Sequence, residues 1–218
     1  MDFLHRKISI RNIFKNKENK KFNHGKEKKK HLYFITGNSH KFNEISKILK
    51  QEKVNYELIQ LDINPIEIQS DNLKEVALFK LNSIKNKVNG SFFVEDAGLF
   101  VDYPLNGFPG VFSSYVFRTI GNKGILKLLG NIDDTRAHFL SIIALYFKPL
   151  NRNCIFEGII DGVISPIIKG SQGFGYDPIF IPNKNPQKTF GELNTEEKNK
   201  ISHRGIAVKK IIEFLKHN

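Results

Sequence analysis

One junction constrains this chain more than any other feature. A compact apolar run, Leu32-Tyr33-Phe34-Ile35, stops at Thr36-Gly37-Asn38, and an amphipathic stretch follows at once. A short apolar run bounded by turn residues reads as a buried strand. Phe42, Ile45, Ile48 and Leu49 then recur at helical spacing and predict a helix with one apolar face. The alternation continues. Residues 56–63 read as a strand, and Asp71 is positioned to cap a helix carrying Val76, Leu81, Ile84 and Val88. Phe92-Phe93-Val94 is a third buried strand that ends at Glu95-Asp96, and residues 121–129 form a short helix. Residues 139–147 and 155–164 are long, β-branched-rich stretches that pair antiparallel through a turn at 149–153. Residues 178–181 add a strand. Asn194-Thr195-Glu196-Glu197 has capping-box spacing and starts a last helix running through Ile211, Ile212 and Leu215. Strand–helix alternation followed by adjacent long strands predicts an α/β fold with a mixed sheet.

The chain has 218 residues, enough for one large domain or two small lobes around a cleft. No run of 18 apolar residues exists, which argues against a membrane-spanning helix. The lone Cys154 excludes an internal disulfide and suits a reducing compartment such as the cytoplasm. The net charge of +12 resembles a nucleic-acid signature, but its distribution argues otherwise. Residues 1–30 hold 11 Lys/Arg against 3 Asp/Glu, leaving 23 against 19 for the remainder. The body is only mildly basic and suits a small anionic ligand. Residues 1–30 therefore read as a basic, disordered extension, and residues 31–218 as the functional domain. An organelle address in the extension also fits its scarcity of acidic residues.

Four constellations carry chemistry. Thr36-Gly37-Asn38-Ser39-His40-Lys41 lies at a strand-to-helix junction, where free N–H groups and the helix dipole favour an anion. Gly37 admits close backbone approach, and Lys41 lies one turn in. Glu95-Asp96 at a strand end and Glu67 after the second strand supply carboxylates of the kind that hold Mg²⁺ together with phosphate oxygens. Adjacent strand residues face opposite sides, so only one of Glu95 and Asp96 is expected in a given cleft. Gly173-Phe174-Gly175-Tyr176-Asp177-Pro178 exposes an aromatic ring between glycines, a platform for a planar base. Lys198, Ser202, His203 and Arg204 cluster hydrogen-bond donors on the last helix. Donors suit the O6 of a 6-keto purine, whereas the adenine amino group leaves buried donors unpaired.

Six segments stand in the order and spacing of the inosine triphosphate pyrophosphatase family, which the chain resembles over nearly all of residues 32–215. They are TGNSHK (36–41), VEDAGL (94–99), NGFPG (106–110), GFGYDPIF (173–180), TFGEL (189–193) and EKNKISHR (197–204). The resemblance implies an elongated mixed sheet with flanking helices and two lobes around a nucleotide cleft, and a homodimer. It implies Mg²⁺-dependent hydrolysis of ITP, dITP, XTP and dXTP to the monophosphate and pyrophosphate, which cleanses the nucleotide pool. Mn²⁺ is a possible substitute ion. Residue by residue, Thr36, Gly37, Asn38, Ser39, His40, Lys41 and Lys198 would bind the triphosphate. Glu67 and Asp96 would ligate Mg²⁺ with support from Glu95, and Asp96 would orient or deprotonate the attacking water. Phe174 would stack on the base, and Gly175, Tyr176 and Asp177 would line the base and sugar pocket. Ser202, His203 and Arg204 would read the keto base. Ala97 stands where the family usually has Thr or Ser, so one hydroxyl in the substrate site is lost. Gly191 and Leu193 are minor departures.

Three rival readings predict different behaviour. A nucleic-acid binder would use the basic extension, a nucleotide sensor would bind without turnover, and a related pyrophosphatase would take pyrimidine or modified nucleotides. No HExxH, paired CxxC or GxSxG motif points to another chemistry.

Overall fold

The computed structural model describes residues 29–218. The expectation of a disordered extension falls largely on residues 1–28, outside the described residues. Seven strands form one mixed sheet in the order β2-β1-β3-β5-β6-β7, with β4 paired on β3. The strands are β1 (Lys30–Ile35), β2 (Tyr56–Leu61), β3 (Ser91–Val101), β4 (Phe108–Pro109), β5 (Arg136–Phe147), β6 (Arg152–Ile164) and β7 (Phe180–Pro182). The helices are α1 (Ser39–Gln51), α2 (Leu73–Ile84), α3 (Ser113–Thr119), α4 (Gly121–Leu129), α5 (Thr195–Ile201) and α6 (His203–Lys216). β1 runs parallel to β2 and β3, whereas β3, β5, β6 and β7 pair antiparallel.

Strand alternation sorts the core. Leu32, Phe34 and Phe93 face one side, where they pack with Ile45 and Ile48 of α1 and Ile211 of α6. Ile35, Phe92 and Val94 face the other side, against Ala77, Leu81 and Ile84 of α2. Phe34 and Phe93 stack across β1 and β3 with centroids 4.5 Å apart. Each such fully buried side chain contributes roughly 1.5–3 kcal/mol. A third apolar cluster sits farther along the same long strands. It joins Leu99 and Val101 of β3, Phe139 of β5 and Ile160 of β6 to Ile125 of α4 and to Phe180. β5 and β6 have 12 and 13 residues and extend roughly 40 Å. They thread both packed ends, and Glu95, Asp96 and Ala97 lie between them on β3.

Several boundaries differ from expectation. α2 is capped by Asn72, not Asp71, because the Asn72 Oδ1 accepts from Lys74 N and Glu75 N. Val88 lies beyond its end. β3 continues to Val101, so Glu95-Asp96 is mid-strand; antiparallel pairing with β5 carries the strand past the acidic pair. Pro178, which has no N–H to donate, lies in a 3-10 turn, and the strand begins only at Phe180. The last helix breaks at Ser202, whose backbone is extended and whose Oγ accepts from Gly205 N. Ser202 is thus the N-cap of α6. The capping box at Asn194 and Glu197 is formed as its spacing predicts.

Candidate active site

β1 pairs with β3 only as far as Phe34↔Phe93. Between that point and the pairing with β4 at Phe100, β3 is an edge on this side, and a cavity of about 860 Å³ opens there, within the size range of small-ligand sites. Glu95 and Asp96 do point to opposite faces. Glu95 meets α1 and α6, and Asp96 meets α2. Both nevertheless line the one cavity, contrary to the expectation of a single residue. The cavity wraps around the exposed strand edge, so facing opposite sides does not separate them.

The α1 junction is built by local hydrogen bonds. Asn38 Oδ1 accepts from Lys41 N at 3.1 Å, and Thr36 Oγ1 accepts from Asn38 N at 3.0 Å. Gln60 Nε2 donates to Thr36 O. A Cβ at position 37 would stand 3.0 Å from Asp62 Oδ1, so glycine gives the loop its close fit there. Thr36, Gly37, Asn38 and Lys41 line the cavity. Ser39 is exposed on α1, and His40 stacks on Phe174 with centroids 5.3 Å apart.

A buried ionic network joins the last two helices to the sheet. Arg204 Nη1 lies 2.6 Å from Glu44 Oε2, and Nη2 lies 3.2 Å from Glu95 Oε1. Lys198 Nζ reaches Glu44 Oε1 at 2.8 Å and Asp177 Oδ2 at 2.7 Å. Lys41 Nζ stands 2.8 Å from Glu95 Oε2. Three cations thus face three carboxylates. Burial alone would raise the carboxyl of Glu95, but Arg204 and Lys41 outweigh it and hold the group well below the usual carboxylate range. Burial likewise opposes ionisation of Glu44, and Arg204 and Lys198 overcome it. Asp177 is raised by burial despite Lys198. Its Oδ2 also accepts from Phe174 N at 2.7 Å, which ties the glycine-rich loop to Lys198.

The base-side residues converge. Arg204 Cζ lies 5.4 Å and Lys198 Nζ 5.0 Å from the Phe174 ring centroid. Gly175 and Tyr176 also line the cavity, and the Tyr176 hydroxyl donates to Ser113 O. Burial pushes that phenol up, so it stays neutral. His203 stacks on Phe139 with centroids 4.6 Å apart. Burial, then the charges of Arg204 and Lys198, lower its pKa well below 6.5 and keep the imidazole neutral. Its Nδ1 is buried without a hydrogen-bond partner among the described residues. Ser202 is fully buried in the α6 cap.

Glu67 and Asp96 are brought together through a residue that the sequence reading passed over. Lys80 Nζ lies 2.8 Å from Glu67 Oε1 and 2.6 Å from Asp96 Oδ1. Asp96 Oδ2 is buried with no hydrogen-bond partner among the described residues. Two carboxylates already holding a cation, with one oxygen unsatisfied, fit an ion such as Mg²⁺, which takes one or two carboxylates and completes its shell with phosphate oxygens. Among the described residues no group of three or more His, Cys, Asp or Glu side chains forms a metal cluster.

The sequence reading also missed Glu44, Phe139 and Ser141. Glu44 and Lys80 share one signal: each is a charge set into an apolar helix stripe, Glu44 beside Ile45 and Ile48, Lys80 between Ala77 and Ile84. Ser141 is the cross-strand partner of Ala97. It donates to Glu95 Oε1 at 2.7 Å, so the acidic strand receives a hydroxyl from β5 although position 97 has none.

Comparison with known proteins identifies the family and the fold. Residues 32–214 match the Ham1 family. The dITP/XTP pyrophosphatase of Thermococcus kodakarensis is 46% identical over 187 residues, covering 86% of this chain and 98% of that protein. The dITP/XTP pyrophosphatase of Pyrococcus horikoshii is 46% identical, with 86% and 97% covered. Among solved structures, the Staphylococcus aureus Ham1 protein superposes with a TM-score of 0.73 at 30% identity, covering 86% of this chain and 99% of that one. A HAM1 protein from Coxiella burnetii gives 0.74 at 29% identity, with the same coverage.

Proposed function

The chain belongs to the Ham1 family, and from that premise we infer that it hydrolyses non-canonical purine nucleoside triphosphates to the monophosphate and pyrophosphate. The substrates are ITP, dITP, XTP and dXTP. The observation that carries this reading is Arg204, fixed by two carboxylates and set beside the Phe174 ring. Phe174 offers the stacking surface. Arg204 is tethered and presents donors to the edge of the base. A 6-keto oxygen accepts them, and a 6-amino group does not. His203, neutral and unpaired at Nδ1, contributes beside it.

The reaction is attack of water on the α-phosphorus. A new bond forms from the water oxygen, the bond to the α,β-bridging oxygen breaks, and pyrophosphate leaves with that oxygen. Asp96 orients the water, and its unpaired Oδ2 accepts the proton. Lys41 and the α1 N-terminus neutralise charge on the leaving pyrophosphate. Lys198 holds Asp177 and, through it, the loop that bears Phe174. Glu67 and Asp96 would hold Mg²⁺, which supplies charge neutralisation at the phosphate oxygens.

The test is turnover of ITP, dITP, XTP, ATP and GTP with Mg²⁺, with pyrophosphate and orthophosphate assayed separately. Pyrophosphate with IMP, and little ATP hydrolysis, is the expected result. Orthophosphate release would mean attack at the γ-phosphorus and a different mechanism. Binding of ITP without turnover would favour a nucleotide sensor. We propose a homodimer on the family resemblance, to be checked by light scattering, and a cytoplasmic location. No helix among the described residues is long and apolar enough to cross a membrane.

A further inference from the structure

We propose that Lys80 is a built-in counter-cation that closes the Glu67–Asp96 pair to a free divalent ion and opens it to one arriving with a nucleotide. The proposal rests on the reading of that pair as the Mg²⁺ site. Lys80 sits on the buried stripe of α2, with Ala77, Leu81 and Ile84 packed into the core. Core packing therefore fixes the helix that carries it, and only 12% of the Lys80 side chain is exposed. Its ammonium lies within hydrogen-bond distance of both carboxylates. The Glu67 loop is tied to the same helix: Ile66 N donates to Ser83 Oγ, and Ser83 Oγ donates to Lys80 O. Loop, helix and strand thus hold the three charges in one place.

The charge balance decides what can enter. Two carboxylates and one ammonium leave one net negative charge. A divalent ion entering alone must push the ammonium aside. Lys80 then sits beside a like charge in a partly desolvated site, where repulsion within about 4 Å is several-fold stronger than in water. Glu95 offers no alternative, since Lys41 and Arg204 already pair with it. A triphosphate changes this. Its oxygens give the ammonium a new partner as the ion takes the carboxylates. Ion and nucleotide binding are therefore coupled, and the coupling is reciprocal.

The experiment measures Mn²⁺ binding to the full chain without nucleotide, from the electron paramagnetic resonance signal of the free ion. The proteins are the wild type, Lys80→Met, Lys80→Gln and Lys80→Arg. Met and Gln are expected to bind one Mn²⁺ about tenfold or more tightly than the wild type, since each removes the competing charge. Lys80→Arg keeps that charge and is expected to bind as weakly as the wild type. Adding Glu67→Gln to Lys80→Met should abolish the gain. Lys80→Gln preserves polarity and carries the test if Lys80→Met fails to fold. Wild-type affinity equal to that of both neutral variants would overturn the proposal. A parallel Mg²⁺ titration of wild-type ITP turnover separates the two readings. Mg²⁺-dependent pyrophosphate release with unchanged Mn²⁺ affinity in the neutral variants refutes the gate alone. No Mg²⁺ dependence refutes the metal site and the gate together.

Discussion

Asp96 and Glu95 are neighbours with opposite duties, and substitution separates them. Asp96 faces the cavity with one oxygen on Lys80 and one unsatisfied. Asp96→Asn keeps the shape and removes the base, so kcat for ITP should fall by about a hundredfold or more. The melting temperature should stay close to wild type; near-normal turnover would remove Asp96 from the mechanism. Glu95 and Glu44 instead serve the buried network. Glu44→Gln leaves Lys198 and Arg204 each short of a carboxylate, and breaking a buried pair in this way costs about 3–5 kcal/mol. Urea unfolding should register that loss, and the preference for ITP over ATP should weaken as Arg204 loosens. His203 sets the pH response. Its folded pKa lies well below 6.5, so the unfolded chain takes up a proton that the folded chain refuses. The stability it contributes is complete above about pH 6.5 and drains away as the pH falls, by up to about 1.4 kcal/mol per unit. Glu44 and Glu95 are also depressed and add the same trend below their ordinary value of 4.5. Chemical denaturation across pH should show both phases, and His203→Gln should remove the upper contribution.

At the scale of elements, the site depends on how closely α6 lies against β6. Gly158 of β6 faces His203 O and Ala207 N, and a Cβ there would overlap both backbone atoms. Backbone cannot yield as a side chain can, so Gly158→Ala should displace α6 and carry His203 and Arg204 with it. A cost of about 1–3 kcal/mol or more is expected. Base discrimination should deteriorate together with stability, as read by thermal unfolding and the ITP-to-ATP ratio. Retained discrimination would mean that α6 is not what positions the base readers. The break between α5 and α6 belongs to the same scale. Ser202 ends one helix and caps the next, which turns Lys198 toward Glu44 and Asp177 while Arg204 reaches Glu44 and Glu95. A continuous helix was expected, running from the capping box at Asn194 and Glu197 through Ile211, Ile212 and Leu215. Only the cap geometry reveals the interruption.

At the scale of the whole molecule, the family match begins at residue 32, and β1 begins at Lys30. A chain lacking residues 1–28 should therefore hydrolyse ITP within about twofold of the full chain. It should also bind polyanions less tightly and with a weaker salt dependence. Loss of turnover would give the basic segment a part in catalysis. The alternation of short apolar runs with helical stripes was enough to specify an α/β fold with a mixed sheet, because each pattern has its own period and the two cannot be exchanged. The turns at 36–41 and 173–178 were legible as well, since positions such as Gly173 and Gly175, both at positive φ, restrict which residues can stand there. The Glu95-Asp96 pair was legible only as two carboxylates and was expected at a strand end. The partners of those residues were not legible. Glu44 lies 160 positions from Arg204, and Lys80 lies 16 from Asp96. Nothing local in either stretch encodes the meeting. The shared cavity for Glu95 and Asp96 likewise depends on where β1 stops beside β3. Sequence fixes periods and turns because those are properties of neighbouring residues. Charge pairing across the cleft is decided only when the sheet and helices close, because a buried ion is stable only if its counter-ion arrives with it.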